Sequence, residues 1–162
     1  MKSTGDKSKP LIIGIGNEFR GDDAFGIVAA TEIHTTHPDL FDVILEQGDT
    51  SRLIDQWQNR DVIVLDAVYS PSKAEGEIHL AHSFEELKTE YEKQFSTHGI
   101  SLEEAIKLSI LFGREPASFL FIGVEGGQWE LGAALSEKVR SMISEVEKVV
   151  MEYEGGLNQK NL

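Results

Sequence analysis

The segment from Asp61 to Val68 constrains the fold most, because it is apolar at nearly every position. A strand with one face in water alternates apolar and polar residues, whereas a nearly continuous run of branched apolar residues is typical of a strand covered on both faces. Further strands are predicted at 11–15, 42–45 and 118–124, and helical patterns separate them. Ile78 and Leu80 alternate with polar neighbours, which predicts an edge strand. This alternation predicts an α/β fold, a three-layer α/β/α sandwich with a mostly parallel sheet of about five strands.

No repeat or linker divides the chain, so we expect a single domain over residues 1–162. An amphipathic pattern predicts a long last helix over 136–153. The pair Gly155-Gly156 is expected to end this helix. Residues 157–162, and the polar residues 1–10, are expected to be flexible.

The composition excludes several classes of partner and site. The formal net charge is −13, which argues against nucleic acid and anionic lipid, because both require clustered Lys and Arg. The absence of cysteine excludes disulfides, thiol nucleophiles and cysteine-ligated zinc. No apolar run approaches the ~20 residues of a membrane span, and the first ten residues contain no apolar signal-peptide core. We therefore expect a cytoplasmic monomer.

Acidic and imidazole side chains follow the predicted strands, where ligands collect in open α/β sheets. Asp22 and Asp23 come after the first strand, Asp66 ends the third, and His98 lies in a loop before a later helix. One of the adjacent pair Asp22 and Asp23 is expected to be only a helix cap. Two carboxylates and one imidazole suit a divalent ion such as nickel, zinc, iron or manganese, and do not choose among them.

The other histidines are weaker candidates for the metal site. The four remaining histidines are expected at the surface; they are His34, His37, His79 and His82. Of these, His79 is expected on the outer face of an edge strand.

Several standard catalytic motifs are absent. The sequence has no Gly-x-Ser-x-Gly elbow, no His-Glu-x-x-His helix and no Walker phosphate loop.

A second interpretation is a Rossmann-like dinucleotide-binding module without peptidase activity. The segment from Gly14 to Phe19 begins like the dinucleotide fingerprint, and Glu46 after the second strand resembles the acid that binds ribose. Phe19 occupies the position of the third glycine, which opposes the close helix–strand packing of that motif. Asp22 and Asp23 would also repel a pyrophosphate.

Four short motifs together resemble the nickel–iron hydrogenase maturation proteases, and their order runs through nearly the whole chain. They are Gly14-Ile15-Gly16-Asn17, Gly21-Asp22-Asp23-x-x-Gly26, Leu65-Asp66-Ala67 and Ser96-Thr97-His98. The resemblance implies a three-layer α/β fold. It also implies an endopeptidase that removes the C-terminal extension of a hydrogenase large-subunit precursor after nickel insertion.

The resemblance further implies the site residues. Asp23, Asp66 and His98 would bind the metal and carry the catalysis, with nickel supplied by the metal centre of the substrate. The attacking group is expected to be a water activated by nickel, with either Asp23 or Asp66 as its base.

The loops around this set are expected to position the substrate. The residues concerned are Asn17, Gly48 and Thr50, although Asn17 also suits a purely local turn, and Gly48 and Thr50 suit a turn and a helix cap. Many relatives in this family have Gly-Gly-Thr where this chain has Gly48-Asp49-Thr50. Asp49 leaves the metal set intact, and we expect it to affect the pairing with a particular hydrogenase.

Overall fold

The computed structural model describes residues 8–90 and 101–160, which form an α/β/α sandwich around one five-stranded sheet. The strand order is β2-β1-β3-β5-β4, with β4 antiparallel to β5 and all other neighbours parallel. The predicted fold class is therefore confirmed. The strands are β1 (Leu11–Ile15), β2 (Asp42–Glu46), β3 (Asp61–Val68), β4 (Ile78–Ala81) and β5 (Ser118–Glu125).

Helices cover both faces of the sheet. They are a 3-10 turn (Gly21–Ala24), α1 (Phe25–Thr36), α2 (Leu53–Trp57), α3 (Phe84–Glu90), α4 (Leu102–Phe112), α5 (Glu137–Ser141) and α6 (Ile143–Lys160). Among the helices of the described residues, none is both long and apolar enough to cross a membrane.

The central strand β3 explains the apolar run in the sequence. Val62 and Val64 pack in one core cluster with α2, α3 and α4. Ile63 and Leu65 pack in the other core cluster with α1, α5 and α6. All four side chains are fully buried. Each face of β3 is thus covered by helices, and neither face has a position for a solvated polar residue.

The predicted end of the last helix is wrong. The segment is divided into α5 and α6, and α6 runs through Gly155 and Gly156 to Lys160. A glycine ends a helix most effectively in the left-handed conformation, and neither glycine of this pair has a positive φ. Of the tail expected to be flexible, residues 157–160 are therefore helical.

The last residues of the amino-terminal arm, which is expected to be flexible, are ordered. The Arg60 guanidinium donates to the carbonyl oxygen of Lys9 at 2.9 Å. The Asp42 amide donates to the carbonyl oxygen of Pro10 at 3.0 Å. These bonds fix the last residues of the predicted flexible arm to the sheet, and residues 1–7 lie outside the described part of the chain.

Candidate active site

Asp22 is a structural residue. Its side chain is fully buried. Its Oδ2 accepts the backbone N–H of Gly127 at 2.8 Å and of Gln128 at 2.9 Å, and its Oδ1 accepts that of Ser136 at 2.8 Å. The carboxylate thereby ties the turn after β1 to the loop after β5. The prediction that one of the two adjacent acids is only a helix cap is wrong for Asp22, because its carboxylate bonds to a distant loop and makes no cap bond to its own helix.

Asp23 is partly exposed and belongs to the 3-10 turn before α1. The backbone N–H of Asn17 lies 3.1 Å from Asp23 Oδ2 and 3.2 Å from the Asp23 carbonyl oxygen. The side-chain oxygen of Asn17 accepts the N–H of Phe19 at 2.9 Å. Asn17 thus shapes the loop and orients Asp23, while a contact between Asn17 and substrate stays a prediction.

A glycine at position 26 lets the start of α1 reach the carboxyl ends of two strands. A Cβ atom on Gly26 would overlap the carbonyl oxygens of Ile15 in β1 and Leu65 in β3. The 3-10 turn that carries Asp23 also contacts β3. Because Leu65 directly precedes Asp66, this close approach brings Asp23 and Asp66 to the same edge of the sheet.

Asp66 is buried within β3. The prediction that it ends the strand is wrong, because pairing with β5 continues for two more residues, to Val68. Val64 and Val68 pack on the face covered by α2, α3 and α4. Strand alternation places the Asp66 side chain on that face. His98 precedes α4 in sequence, but it lies outside the described residues, so its position stays a prediction.

Glu46 is a second buried carboxylate at this edge. It pairs with Ile15 in the sheet register, and Ile44, two residues earlier, packs on the same face as Asp66. The exposed Arg52 guanidinium lies 3.1 and 3.2 Å from the two Glu46 oxygens. Glu46 and Asp66 both follow an apolar strand segment, so the same sequence pattern identifies both carboxylates as site candidates.

The prediction of a surface position for His79 is wrong. Its Nε2 lies 2.8 Å from Oε1 of the buried Glu125, whose Oε2 accepts the N–H of Ser70 at 2.9 Å. Gly123 is paired with both His79 and Asp66, so about 10 Å separates the Cα atoms of these two residues. Strand alternation places the imidazole on the face covered by α2, α3 and α4, where Ala81, two residues later, also packs.

The other three histidines differ in exposure. His34 and His82 are exposed, as predicted. His37 is half-buried, and its Nε2 lies 2.8 Å from Glu147 Oε1 in α6. His34 and His37 lie at the end of α1, and His82 follows β4. None of these three histidines therefore extends the site of Asp23 and Asp66.

The loop after β2 contains the two other predicted substrate-positioning residues. Gly48 has φ +133, a conformation that favours glycine, and Thr50 is buried. The expectation that Thr50 caps α2 is wrong, because Arg52 occupies the N-cap without a side-chain bond. Asp49 accepts the N–H of Ser51 at 2.9 Å, and this hydrogen bond lowers the pKa of Asp49. Substrate contacts of Gly48 and Thr50 stay predictions.

The carboxylates Asp23 and Asp66 are donors that suit a divalent ion. Within residues 8–90 and 101–160, no three His, Asp or Glu side chains converge into a site for a metal ion. The predicted metal set includes His98, which is outside these ranges, so the complete set is not tested by the structure.

The geometry opposes the dinucleotide interpretation. A Cβ atom on Gly16 would overlap the carbonyl oxygen of Asp23, so the space beside this glycine is filled by the protein's own backbone. In the dinucleotide motif the corresponding space receives the pyrophosphate. Glu46, the proposed ribose ligand, is paired with Arg52.

Solved structures of other proteins have the same fold. The hydrogenase maturating endopeptidase HybD from E. coli aligns with a TM-score of 0.72 and 20% identity, covering 90% of this chain and 91% of that chain. The NiFe hydrogenase maturation protease HybD from Thermococcus kodakarensis aligns with a TM-score of 0.72 and 23% identity, covering 90% and 99%. At these identities the similarity shows the fold alone.

Sequence comparison gives the family. Residues 49–153 match the family described as hydrogenase maturation protease. The hydrogenase expression/formation protein HoxM of Azotobacter vinelandii is 29% identical over 147 residues, which cover 88% of this chain and 70% of that protein. HupD of Bradyrhizobium diazoefficiens, described in the same words, is 28% identical over 148 residues, covering 89% and 77%. The chain belongs to the hydrogenase maturation protease family and is an endopeptidase.

Proposed function

We propose that this endopeptidase removes the C-terminal extension from a hydrogenase large-subunit precursor. The observation that carries the proposal is the placement of the buried Asp66 and the partly exposed Asp23 at one edge of the sheet, in a chain of this family. Peptide hydrolysis needs a base for the attacking water and stabilisation of the developing oxyanion. A pair of carboxylates supplies the base and can hold a cation for the second task.

The metal in this proposal is nickel that the precursor already contains. Asp23, Asp66 and His98 would recognise it as part of the substrate, because two carboxylates and one imidazole leave coordination positions open for ligands from a partner. Held by these residues, nickel would supply a Lewis acid for the scissile carbonyl.

The two carboxylates differ in environment, which favours a division of roles. Asp66 is buried in the sheet, which suits a ligand that anchors a cation. Asp23 is partly exposed, so a water molecule can reach it. Asn17 fixes Asp23 through its backbone N–H. We assign the base to Asp23 and the anchoring of the metal chiefly to Asp66.

The test is incubation of purified protein with tailed large-subunit precursor, with and without nickel in the precursor, followed by intact-mass measurement. We expect loss of the tail only from nickel-loaded precursor. Asp23→Asn, Asp66→Asn and His98→Ala should abolish this cleavage, whereas Asp39→Asn, an exposed acid before β2, should leave it unchanged. Equal cleavage of nickel-free precursor would refute the role of nickel. Cleavage by both site variants Asp23→Asn and Asp66→Asn would refute the site.

The state of the enzyme in the cell is part of the same proposal. The acidic, cysteine-free chain favours a monomer that acts in the cytoplasm on newly made large subunits. Sedimentation at several protein concentrations tests the monomer, and a stable dimer at micromolar concentration would contradict it.

A further inference from the structure

Two large apolar side chains are exposed beside the candidate active site. Phe19, in the loop after β1, exposes 62% of its surface, and Leu131, in the loop after β5, exposes 71%. Both loops lie at the carboxyl edge of the parallel strands, the edge that carries Asp23 and Asp66. Neighbouring exposed apolar residues at the rim of a site are typical of a surface that binds another molecule.

Backbone hydrogen bonds hold the two loops together. The N–H of Gly132 donates to the carbonyl oxygen of Phe19 at 2.7 Å. The N–H of Gly21 donates to the carbonyl oxygen of Ala133 at 3.0 Å. The buried carboxylate of Asp22 adds three bonds to the loop after β5. Phe19 and Leu131 therefore stand on one ordered platform, and binding a partner there costs little loop ordering.

This platform is continuous with the site. The N–H of Phe19 donates to the side-chain oxygen of Asn17 at 2.9 Å, and the N–H of Asn17 donates to Asp23 Oδ2 at 3.1 Å. Two hydrogen bonds thus connect the backbone of the apolar residue to the proposed catalytic carboxylate. Phe19 and Asp23 therefore belong to one hydrogen-bonded loop after β1.

Each exposed apolar residue follows an exposed acid in sequence. Glu18 precedes Phe19, and Glu130 precedes Leu131. Asp23 adds a further negative charge. Arg20 is the one basic residue of the two described segments 17–23 and 126–133. The local charge is therefore negative, in a chain whose formal net charge is −13. An occupant with basic residues is attracted to it, and an acidic occupant is repelled.

We propose that Glu18, Phe19, Glu130 and Leu131 form a docking rim for a polypeptide segment of the substrate in which apolar residues stand beside basic ones. The proposal rests on the proposed function in one respect, that the substrate is a hydrogenase large-subunit precursor. The rim selects the segment by burying apolar side chains on Phe19 and Leu131. Glu18 and Glu130 select its charge and speed its association.

Two exposed residues of the same types at the opposite edge provide matched controls. Phe112 exposes 63% of its surface and Leu111 exposes 74%. Both are the last residues of α4, which ends shortly before β5 begins. Ala117 in that connection donates to the carbonyl oxygen of Arg60 ahead of β3, at the amino edge of the sheet. Phe112→Ser and Leu111→Ser thus remove equal apolar surface far from Asp23.

The experiment measures initial rates of tail removal from nickel-loaded precursor at several precursor concentrations. Phe19→Ser and Leu131→Ser should each lower kcat/KM about tenfold through a higher KM with little change in kcat, because each variant loses the burial of one large apolar side chain. Phe112→Ser and Leu111→Ser should match the wild type. The double variant Glu18→Gln, Glu130→Gln should weaken the salt dependence of kcat/KM.

The outcomes separate the docking rim from the function it serves. If the wild-type protein leaves the tail on the precursor, the proposed function fails. If the wild type cleaves and the Phe19→Ser and Leu131→Ser variants cleave with unchanged KM, the rim is refuted and the function stands. An equal loss in Phe112→Ser also refutes the rim, since the effect would then follow any exposed apolar residue. A salt dependence that survives in the Glu18→Gln, Glu130→Gln variant refutes the selection of basic residues.

Discussion

Replacing Asp22 should damage the fold, whereas replacing Asp23 should damage only the chemistry. In the Asp22→Asn variant, the amide oxygen can still accept the N–H groups of Gly127 and Gln128, which share one carboxylate oxygen in the structure. The amide NH2 group then faces the N–H of Ser136, so two donors meet and that bond is lost. The remaining two bonds also weaken, because their acceptor is now neutral.

The size of the effect follows from these bonds. A hydrogen bond to a charged group contributes about 1.5–3 kcal/mol, and a buried donor left unsatisfied costs about 1–3 kcal/mol. We expect Asp22→Asn to lower the free energy of unfolding by about 3 kcal/mol, and Asp22→Ala, which loses all three bonds, by about 5 kcal/mol. A domain of this size has about 5–15 kcal/mol in total. The melting temperature of Asp22→Asn should therefore fall by about 6–12 °C.

The matched variant is Asp23→Asn. Its amide oxygen can still accept the single N–H of Asn17, and the residue is partly exposed, so the expected loss is below about 1 kcal/mol. Urea denaturation followed by circular dichroism measures both variants. Tail removal by the folded fraction should persist in Asp22→Asn and vanish in Asp23→Asn. Losses of stability that agree within about 0.5 kcal/mol would show that the division between the two acids is mistaken.

Three further predictions concern Glu125, Tyr153 and His98. Glu125→Ala should lower the free energy of unfolding by about 3–5 kcal/mol, because His79 and the Ser70 N–H lose their buried partner, whereas the exposed Glu77→Ala should cost below about 1 kcal/mol in the same urea titration. Burial raises the pKa of Tyr153, and the charge of Asp61 adds to this, against the opposing hydrogen bond to Ser118. The folded state thus disfavours the phenolate. The contribution of neutral Tyr153 to the free energy of unfolding is therefore fully present below about pH 10 and is lost as pH rises further. Urea unfolding between pH 8 and 11 should show a smaller decline for Tyr153→Phe, and equal declines would remove Tyr153 as the cause. Calorimetric titration with nickel or cadmium should show weak binding that falls below about pH 6.5 and is lost in His98→Ala, and unchanged affinity in that variant would exclude His98 as a ligand.

The fold class was predictable because strand and helix patterns alternate along the chain and the central strand is apolar on both faces. The apolar run of β3 required cover on both faces, and the structure supplies it with α2 to α4 on one side and α1, α5 and α6 on the other. The capping box at the start of α4, in which Ser101 and Glu104 exchange hydrogen bonds, was equally predictable, because the two residues lie three apart in a Ser-x-x-Glu pattern. The end of α6 was not, because glycine gives only a weak preference, about 1 kcal/mol per residue, against helix continuation.

The site was less predictable, because its contacts join residues far apart in sequence. The pairing of His79 with Glu125 depends on the antiparallel register of β4 on β5, which the alternation of Ile78 and Leu80 did not reveal. The partners of Asp22 lie more than 100 residues away. Sequence spacing can show that a carboxylate follows a strand, but it cannot show which distant N–H groups that carboxylate receives.

The adjacent acids Asp22 and Asp23 show how one turn separates structure from chemistry. In a 3-10 turn, successive side chains point in directions about 120° apart, so one of two neighbours can be buried while the next faces the site. Asp22 is directed to the loop after β5 and holds the platform on which Leu131 stands. Asp23 is held by Asn17, whose side chain also fixes the loop of Phe19. Loss of the Asp22 bonds should therefore disturb docking through Leu131 before it disturbs Asp23, and in the folded fraction of Asp22→Asn we expect KM to rise while kcat remains close to that of the wild type.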